Sequence, residues 1–329
     1  MEENNKLSDR VKPFLIHRME ELTFDEFSPS YISRLDLGEN FAGVPVPLRD
    51  GDREAFAAPE GLPAMKIAGN MAFVLGVDPG FKHADAYIDF ITRLLGEKAA
   101  GSLSKIAESE ADLEKYEDAC VWFRAALVFR PDDLTAMYGY AVTLGRLYSN
   151  GKSEEYVGFL KAECIEYFEM ITVRYPDFDM AWYFLGYMYL NLGLYTKAKL
   201  AWVEYLKYGV DQEEIEDIEM RVEEIEEPVE IERGCNAVLS GRWEKGIEIL
   251  EPFMDEHGDW WPLWYHLGVA YAHTDRDEEA ENAFKKSLKG SPRNIESMEG
   301  LLELYTKTGN KTGMKKYRDK LELIKKPQE

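Results

Sequence analysis

Two stretches of this sequence carry the same residue types at the same intervals, and that agreement restricts the chain to an architecture of repeats. One reads Trp182-x-x-Leu185-Gly186-x-x-Tyr189, followed by Ala198 and Trp202. The other reads Trp264-x-x-Leu267-Gly268-x-x-Tyr271, followed by Ala280, Phe284 and Pro292. Each residue type has a packing reason. Gly186 and Gly268 have no side chain, so a second helix can approach closely at that point. Trp182 and Leu185, or Trp264 and Leu267, fill the space between neighbouring units. Ala198 and Ala280 again permit close approach, Trp202 and Phe284 cover the next unit, and Pro292 cannot continue a helix.

Weaker copies extend the pattern on both sides. Ala119, Phe123, Ala126 and Pro131 match the second half of the unit, with Ala107 at the small-residue position of the first half. Ala141 follows Ala107 by 34 residues, Gly234 precedes Gly268 by 34, and Leu302 follows Gly268 by 34. Leu302 is too large for a close helix contact and, with the Lys-rich tail, predicts a terminal capping unit. On this count six units lie between Ala99 and Lys325. Two intervals break the rhythm. Ala141 to Gly186 has a surplus of 11 residues, placed near Ser149–Glu155, and Gly186 to Gly234 has a surplus of 14. The second surplus coincides with the acidic stretch Glu213–Glu227. There Ile215, Ile218, Val222, Ile225 and Val229 are spaced as a narrow apolar seam on one helix.

Taken together, the two segments resemble the tetratricopeptide repeat, in which paired antiparallel helices recur every ~34 residues. The resemblance implies an all-α solenoid, a superhelix of helix pairs, here with a helical N-terminal cap. The expected organisation is an N-terminal extension over 1–60, partly extended; a helical cap or degenerate repeat over 61–98; a first repeat lobe over 99–211; an inserted acidic helix over 212–227; and a second lobe over 228–325 closed by a capping helix. Within the extension, Phe14, Leu15, Arg18, Met19 and Leu22 predict a short amphipathic helix, and the prolines of Gly43–Leu48 predict extended backbone. Either this segment docks along its own solenoid or it recruits a partner.

Composition excludes several functions. Acidic residues outnumber basic ones by 62 to 39, a formal net charge of −23, which repels phosphate backbones and anionic lipid. Nucleic acid and membrane are therefore not expected partners. No apolar run approaches the ~20 residues that span a bilayer, and the polar start Met1-Glu-Glu-Asn-Asn-Lys6 predicts no secretory leader. Cys120, Cys164 and Cys235 are far apart and odd in number, which fits small buried side chains in a reducing cytoplasm. No phosphate loop, zinc-binding helix or nucleophile elbow is present. His266 and His273 could share a helix face but lack further ligands, so no metal, cofactor or catalytic residue is assigned and no enzyme is expected.

In the family it resembles, the first helix of each pair lines the concave face. The resemblance therefore implies a peptide-binding groove formed by Tyr138, Val142, Met180, Tyr183, Tyr187, Asn191, Tyr265 and Val269. Tyrosine offers broad apolar contact and a hydrogen-bonding tip. Some family members grip a C-terminal carboxylate with Lys, Arg and Asn from this face; tyrosines and apolar residues hold those places here, so that clamp is absent. The expected function is an interaction scaffold or adaptor binding a protein or peptide. The alternatives are a regulatory peptide sensor and a client-holding chaperone. Oligomeric state is not determined by the sequence.

Overall fold

The computed structural model describes residues 9–58, 60–151 and 153–325. The first eight residues of the N-terminal extension, and Lys152 in the first surplus, lie outside the described residues. The described chain is mainly helical, with one two-stranded antiparallel sheet. It divides into two compact units, residues 1–185 and 186–329.

The first unit opens with α1 (Lys12–Leu15), which tightens into a 3-10 turn over Ile16–Glu21. Strand β1 (Thr23–Glu26), helix α2 (Pro29–Arg34), strand β2 (Pro45–Leu48) and helix α3 (Asp52–Ala57) follow. Phe24 lies opposite Pro47 in the hairpin. Prolines have no N–H for a ladder, and a two-stranded sheet has only edges, so β2 accommodates two of them. The rings of Phe27, Tyr31, Phe41 and Phe90 cluster at centroid distances of 5.2–6.2 Å from Phe27. Phe90 belongs to α5 (Ala84–Leu95), which follows α4 (Ala64–Val77), so the extension is anchored to the helical body.

Helix pairs follow: α6 (Ala99–Asp112) with α7 (Tyr116–Phe129), and α8 (Leu134–Ser149) with α9 (Glu154–Arg174). Helix α10 (Asp179–Leu190) crosses the division between units. The second unit continues with α11 (Tyr195–Tyr208), α12 (Gln212–Glu224), α13 (Glu226–Leu239), α14 (Trp243–Leu250), α15 (Trp261–His273), α16 (Asp277–Gly290), α17 (Ile295–Thr308) and α18 (Lys311–Lys325). Polar caps start several of these helices. Asp133 accepts from the Ala136 N–H at 3.0 Å, Ser153 from Tyr156 at 3.2 Å, and Asn294 from Ser297 at 2.7 Å.

The 34-residue register is written into the backbone. Glu114, Gly193, Gly241, Asp275 and Gly309 all have positive φ, between 59° and 74°. Each lies seven residues after its small-residue position, respectively Ala107, Gly186, Gly234, Gly268 and Leu302. The following N–H then bonds five residues back: Lys115 to Glu110, Leu194 to Tyr189, Arg242 to Ala237, Arg276 to Tyr271 and Asn310 to Tyr305, every one at 2.9 Å. This is the Schellman closure, which satisfies carbonyls at the helix end and reverses the chain. The pair α8–α9 lacks it, because α8 runs on to Ser149 and α9 reaches 21 residues against 14 for α7. The surplus placed near Ser149–Glu155 therefore goes largely into helix length rather than into a loop.

The close-contact glycines behave as their position requires. A Cβ on Gly186 would lie 2.0 Å from Trp202 Nε1, and one on Gly268 would lie 2.7 Å from Phe284 Cδ1. Gly300, two residues before Leu302, makes a different approach, to the preceding pair: a Cβ there would lie 2.6 Å from Phe284 Cζ. Trp182 and Trp264 each donate their indole N–H to the carbonyl six residues upstream, Pro176 and Gly258, at 2.9 Å.

The acidic stretch forms α12, capped by Asp211. Ile218 and Ile225 are buried, while Ile215, Val222 and Val229 are half-buried. The seam does not run through one helix, since Ile225 is the joint between α12 and α13. Residues 9–18 pack on the second helices of the first unit and on α4, where Lys12 pairs at 2.8 Å with Asp78 at the helix end and Arg18 lies over the Phe73 ring. Asp9 forms a fork with the buried Arg124 of α7, Arg10 bonds Glu166 of α9 at 2.7 Å, and Arg18 bonds Asp118 at 2.6 Å. Phe14 meets Tyr156 edge-on at 5.0 Å. All three cysteines are buried, and burial pushes their thiols up to about 12.

Candidate functional site

In the first unit, Tyr138 and Val142 lie on α8, and Met180 and Tyr183 on α10, all half-buried. The Tyr138 ring lies edge-on to Phe178 at 5.1 Å and 6.3 Å from both Phe168 and Phe184. Phe168 stacks on Phe184 at 5.3 Å, and Tyr183 meets Phe184 edge-on at 5.5 Å. Tyr138 and Tyr183 thus share an aromatic cluster, and only part of each ring faces outward.

In the second unit, Tyr187 is engaged by neighbours. Its ring meets Trp202 edge-on at 5.1 Å, its hydroxyl donates to Asp217 Oδ2 at 2.7 Å, and the Arg221 guanidinium lies over the ring at 5.1 Å. Arg221 and Asp217 are themselves paired at 2.8 Å, and this bond from Arg221, then that from Tyr187, holds the Asp217 carboxyl below its ordinary range. The inserted helix α12 therefore covers Tyr187. Asn191 is exposed just past the end of α10.

Tyr265 and Val269 form part of an open groove. Short turns make α15, α16 and α17 reverse in succession, so α15 and α17 run in the same direction. The Phe284 ring of α16 is held between Gly268 and Gly300, which brings α17 close to α15. The space left between them has a volume of about 460 Å³. Tyr265, Val269 and His273 form one wall, Glu296, Glu299 and Glu303 the other, with Phe284 and Leu304 at the base. Burial first, and then Glu296, Glu299 and Glu303, raise the Tyr265 phenol, so all three carboxylates act on one ring. Asn294 donates to Glu296 at 2.8 Å. Lys307, at the end of the acidic wall, is drawn to the α15–α16 turn, where it pairs with Asp275 at 2.7 Å and Asp277 at 2.8 Å. At the rim His273 stacks on Trp243, with ring centroids 4.1 Å apart and planes parallel to within 4°.

The acidic wall escaped sequence reasoning, although the signal for it was present. Glu299 and Glu303 lie 34 residues after Tyr265 and Val269, so they are the same positions one repeat later. Treating the last pair as a cap hid them. Among the described residues no group of three or more His, Cys, Asp or Glu is placed to hold a metal ion, and no helix is long and apolar enough to cross a membrane.

A family model described as tetratricopeptide repeat matches residues 181–201 and 262–294. No curated protein matches the chain. Among solved structures, MamA is similar at 15% identity, covering 50% of this chain and 88% of that one, with a TM-score of 0.31. A thermophilic tetratricopeptide-repeat protein of Thermus thermophilus is similar at 18% identity, covering 68% and 90%, with a TM-score of 0.23. A tetratricopeptide-repeat protein from Parabacteroides merdae shows 12% identity, covering 80% and 94%, with a TM-score of 0.33. The matched segments fall on α10–α11 and α15–α16, and the glycine contacts and left-handed turns recur at the repeat interval; the chain carries tetratricopeptide repeats over these two segments.

Proposed function

We propose that this protein is a polypeptide-binding scaffold without catalytic activity, working in a reducing cytoplasm, and that it holds its partner against the first helices of its pairs. The observation that carries the reading is the α15–α17 groove, with half-buried Tyr265 and Val269 on one wall of a space of about 460 Å³. That volume falls in the range of ~300–1,000 Å³ typical of ligand clefts, and tyrosine is among the residues that most often anchor protein recognition. Tyr138, Val142, Met180 and Tyr183 form a second contact surface in the first unit. Tyr187 and Asn191 contribute at the end of α10, with Tyr187 reached by a partner only beside α12.

The test is selection of binding peptides from a random display library on the full chain, followed by titration of the selected peptides against variants. Tyr265→Ala should weaken binding about 30-fold, the equivalent of roughly 2 kcal/mol for loss of an aromatic anchor. Helix content should be unchanged, because Tyr265 lies outside the Trp, Leu and Gly packing set. If no selected peptide loses affinity on Tyr265→Ala or Val269→Ser, the groove is not the binding surface.

A further inference from the structure

The two walls of the α15–α17 groove differ in kind, and the difference specifies what fits between them. One wall presents Tyr265, Val269 and His273, each four residues after the last. The other presents Glu296, Glu299 and Glu303. Four helical residues advance ~6 Å along the axis. In an extended chain, successive side chains point to opposite faces, and those on one face are ~6.7 Å apart. An extended segment laid along the groove therefore keeps step with Tyr265, Val269 and His273 on one side and with Glu299 and Glu303 on the other. A helical segment cannot do this, since its neighbouring residues do not point to opposite walls.

Charge selects the chemistry of the second face. Three carboxylates line the same space as Tyr265, and their charge adds to burial in raising its phenol. Lys307 directs its ammonium to Asp275 and Asp277, and Glu303 has no ion pair among the described residues. The chain's formal charge of −23 adds long-range attraction for a cation. We propose that this groove takes an extended segment of a partner protein in which Lys or Arg alternates with large apolar side chains, the cations on Glu299 and Glu303 and the apolar groups on Tyr265 and Val269. The proposal rests on the reading of the groove as a binding surface and names the class of segment it recognises.

Fluorescence anisotropy on the full chain tests it with three labelled pentapeptides: alternating Lys and Leu, alternating Ser and Leu, and a block of three Lys followed by two Leu. The alternating Lys–Leu peptide should bind tightest, and Glu299→Gln with Glu303→Gln should weaken it about tenfold while flattening its salt dependence. Tyr265→Ala should weaken both alternating peptides. If the Ser–Leu peptide binds as well as the Lys–Leu peptide and only Tyr265→Ala matters, the cationic assignment is overturned and the groove reading stands. If the block peptide binds as well as the alternating one, the extended register is overturned. If neither set of variants changes any affinity, the groove reading falls as well.

Discussion

Replacing Gly186 by alanine tests whether close helix approach, rather than helix propensity, decides the residue at the repeat's glycine position. The added Cβ would lie 2.0 Å from Trp202 Nε1, 2.2 Å from Cδ1 and 2.5 Å from Cε2, so it meets the edge of a rigid ring, not the end of a flexible chain. Trp202 is wholly buried and has the Tyr187 ring 5.1 Å away, which leaves it little room to turn. Alanine gains roughly 1 kcal/mol over glycine inside a helix. Overpacking a close-fitted core costs about 1–3 kcal/mol, and a contact this short belongs at or beyond the upper end. The net expectation is a loss of about 2 kcal/mol. Gly158 of α9 is the control, because a Cβ there meets nothing within 4 Å; Gly158→Ala should instead stabilise by about 0.5–1 kcal/mol. Gly268→Ala should fall between the two, its contact to Phe284 being 2.7 Å. A repeat array does not unfold as one unit, so native-state hydrogen exchange is the proper assay, with the loss for Gly186→Ala read in α11. If Gly186→Ala and Gly158→Ala shift protection in the same direction, the packing argument for the repeat is wrong.

Two further outcomes are expected. Ile218→Ser combined with Ile225→Ser should loosen exchange in α11, α12 and α13 and leave α15–α18 unchanged, because repeat units contact only their neighbours; uniform loss across the second unit would contradict this. Burial acts to raise Asp9, but the hydrogen bond and charge of Arg124 outweigh it and hold the carboxyl below its ordinary range. The stability it contributes is complete above the ordinary carboxylate range and is lost as pH falls through the lowered value. Acid should therefore release residues 9–18 before the helix pairs, and Asp9→Asn should remove that pH dependence and loosen the segment at neutral pH, while Arg124 keeps its bond to the Gly76 carbonyl. Limited proteolysis against pH reads both.

The repeat was legible in the sequence because its constraints fall on residue type. Trp264, Gly268 and Ala280 fill positions where size decides, so they recur. The turns between paired helices were not legible, although they are as regular. Their left-handed residue is glycine in three pairs but Glu114 and Asp275 in two, and a carboxylate side chain gives no sign that its backbone is left-handed. The hairpin was half legible. Proline fixed the extended form of Pro45–Leu48, but its partner Thr23–Glu26 is exposed throughout and carries no strand pattern. Tyr187 shows a different limit: the residue is on the first-helix face, but the helix inserted 30 residues later lies over it, so Asp217 and Arg221 take the contacts a partner would use.

The groove shows why a site of this kind is hard to read from one repeat. Packing fixes Gly268 and Phe284 and places Gly300 against the same ring, but it leaves the outward positions one helical turn away free to vary. Tyr265 and Val269 in one pair correspond to Glu299 and Glu303 in the next, so adjacent repeats present an apolar wall and an acidic wall across a single space. Neither wall alone specifies a ligand: the tyrosine wall would accept any apolar side chain, and the glutamates any cation. Opposed at a step of ~6 Å, close to the ~6.7 Å between alternate side chains of an extended strand, they demand both from one segment in strict alternation. The recognition proposed for this groove would rest on the difference between neighbouring repeats, and that difference becomes visible only when the repeat interval is applied to the positions that do not match the repeat.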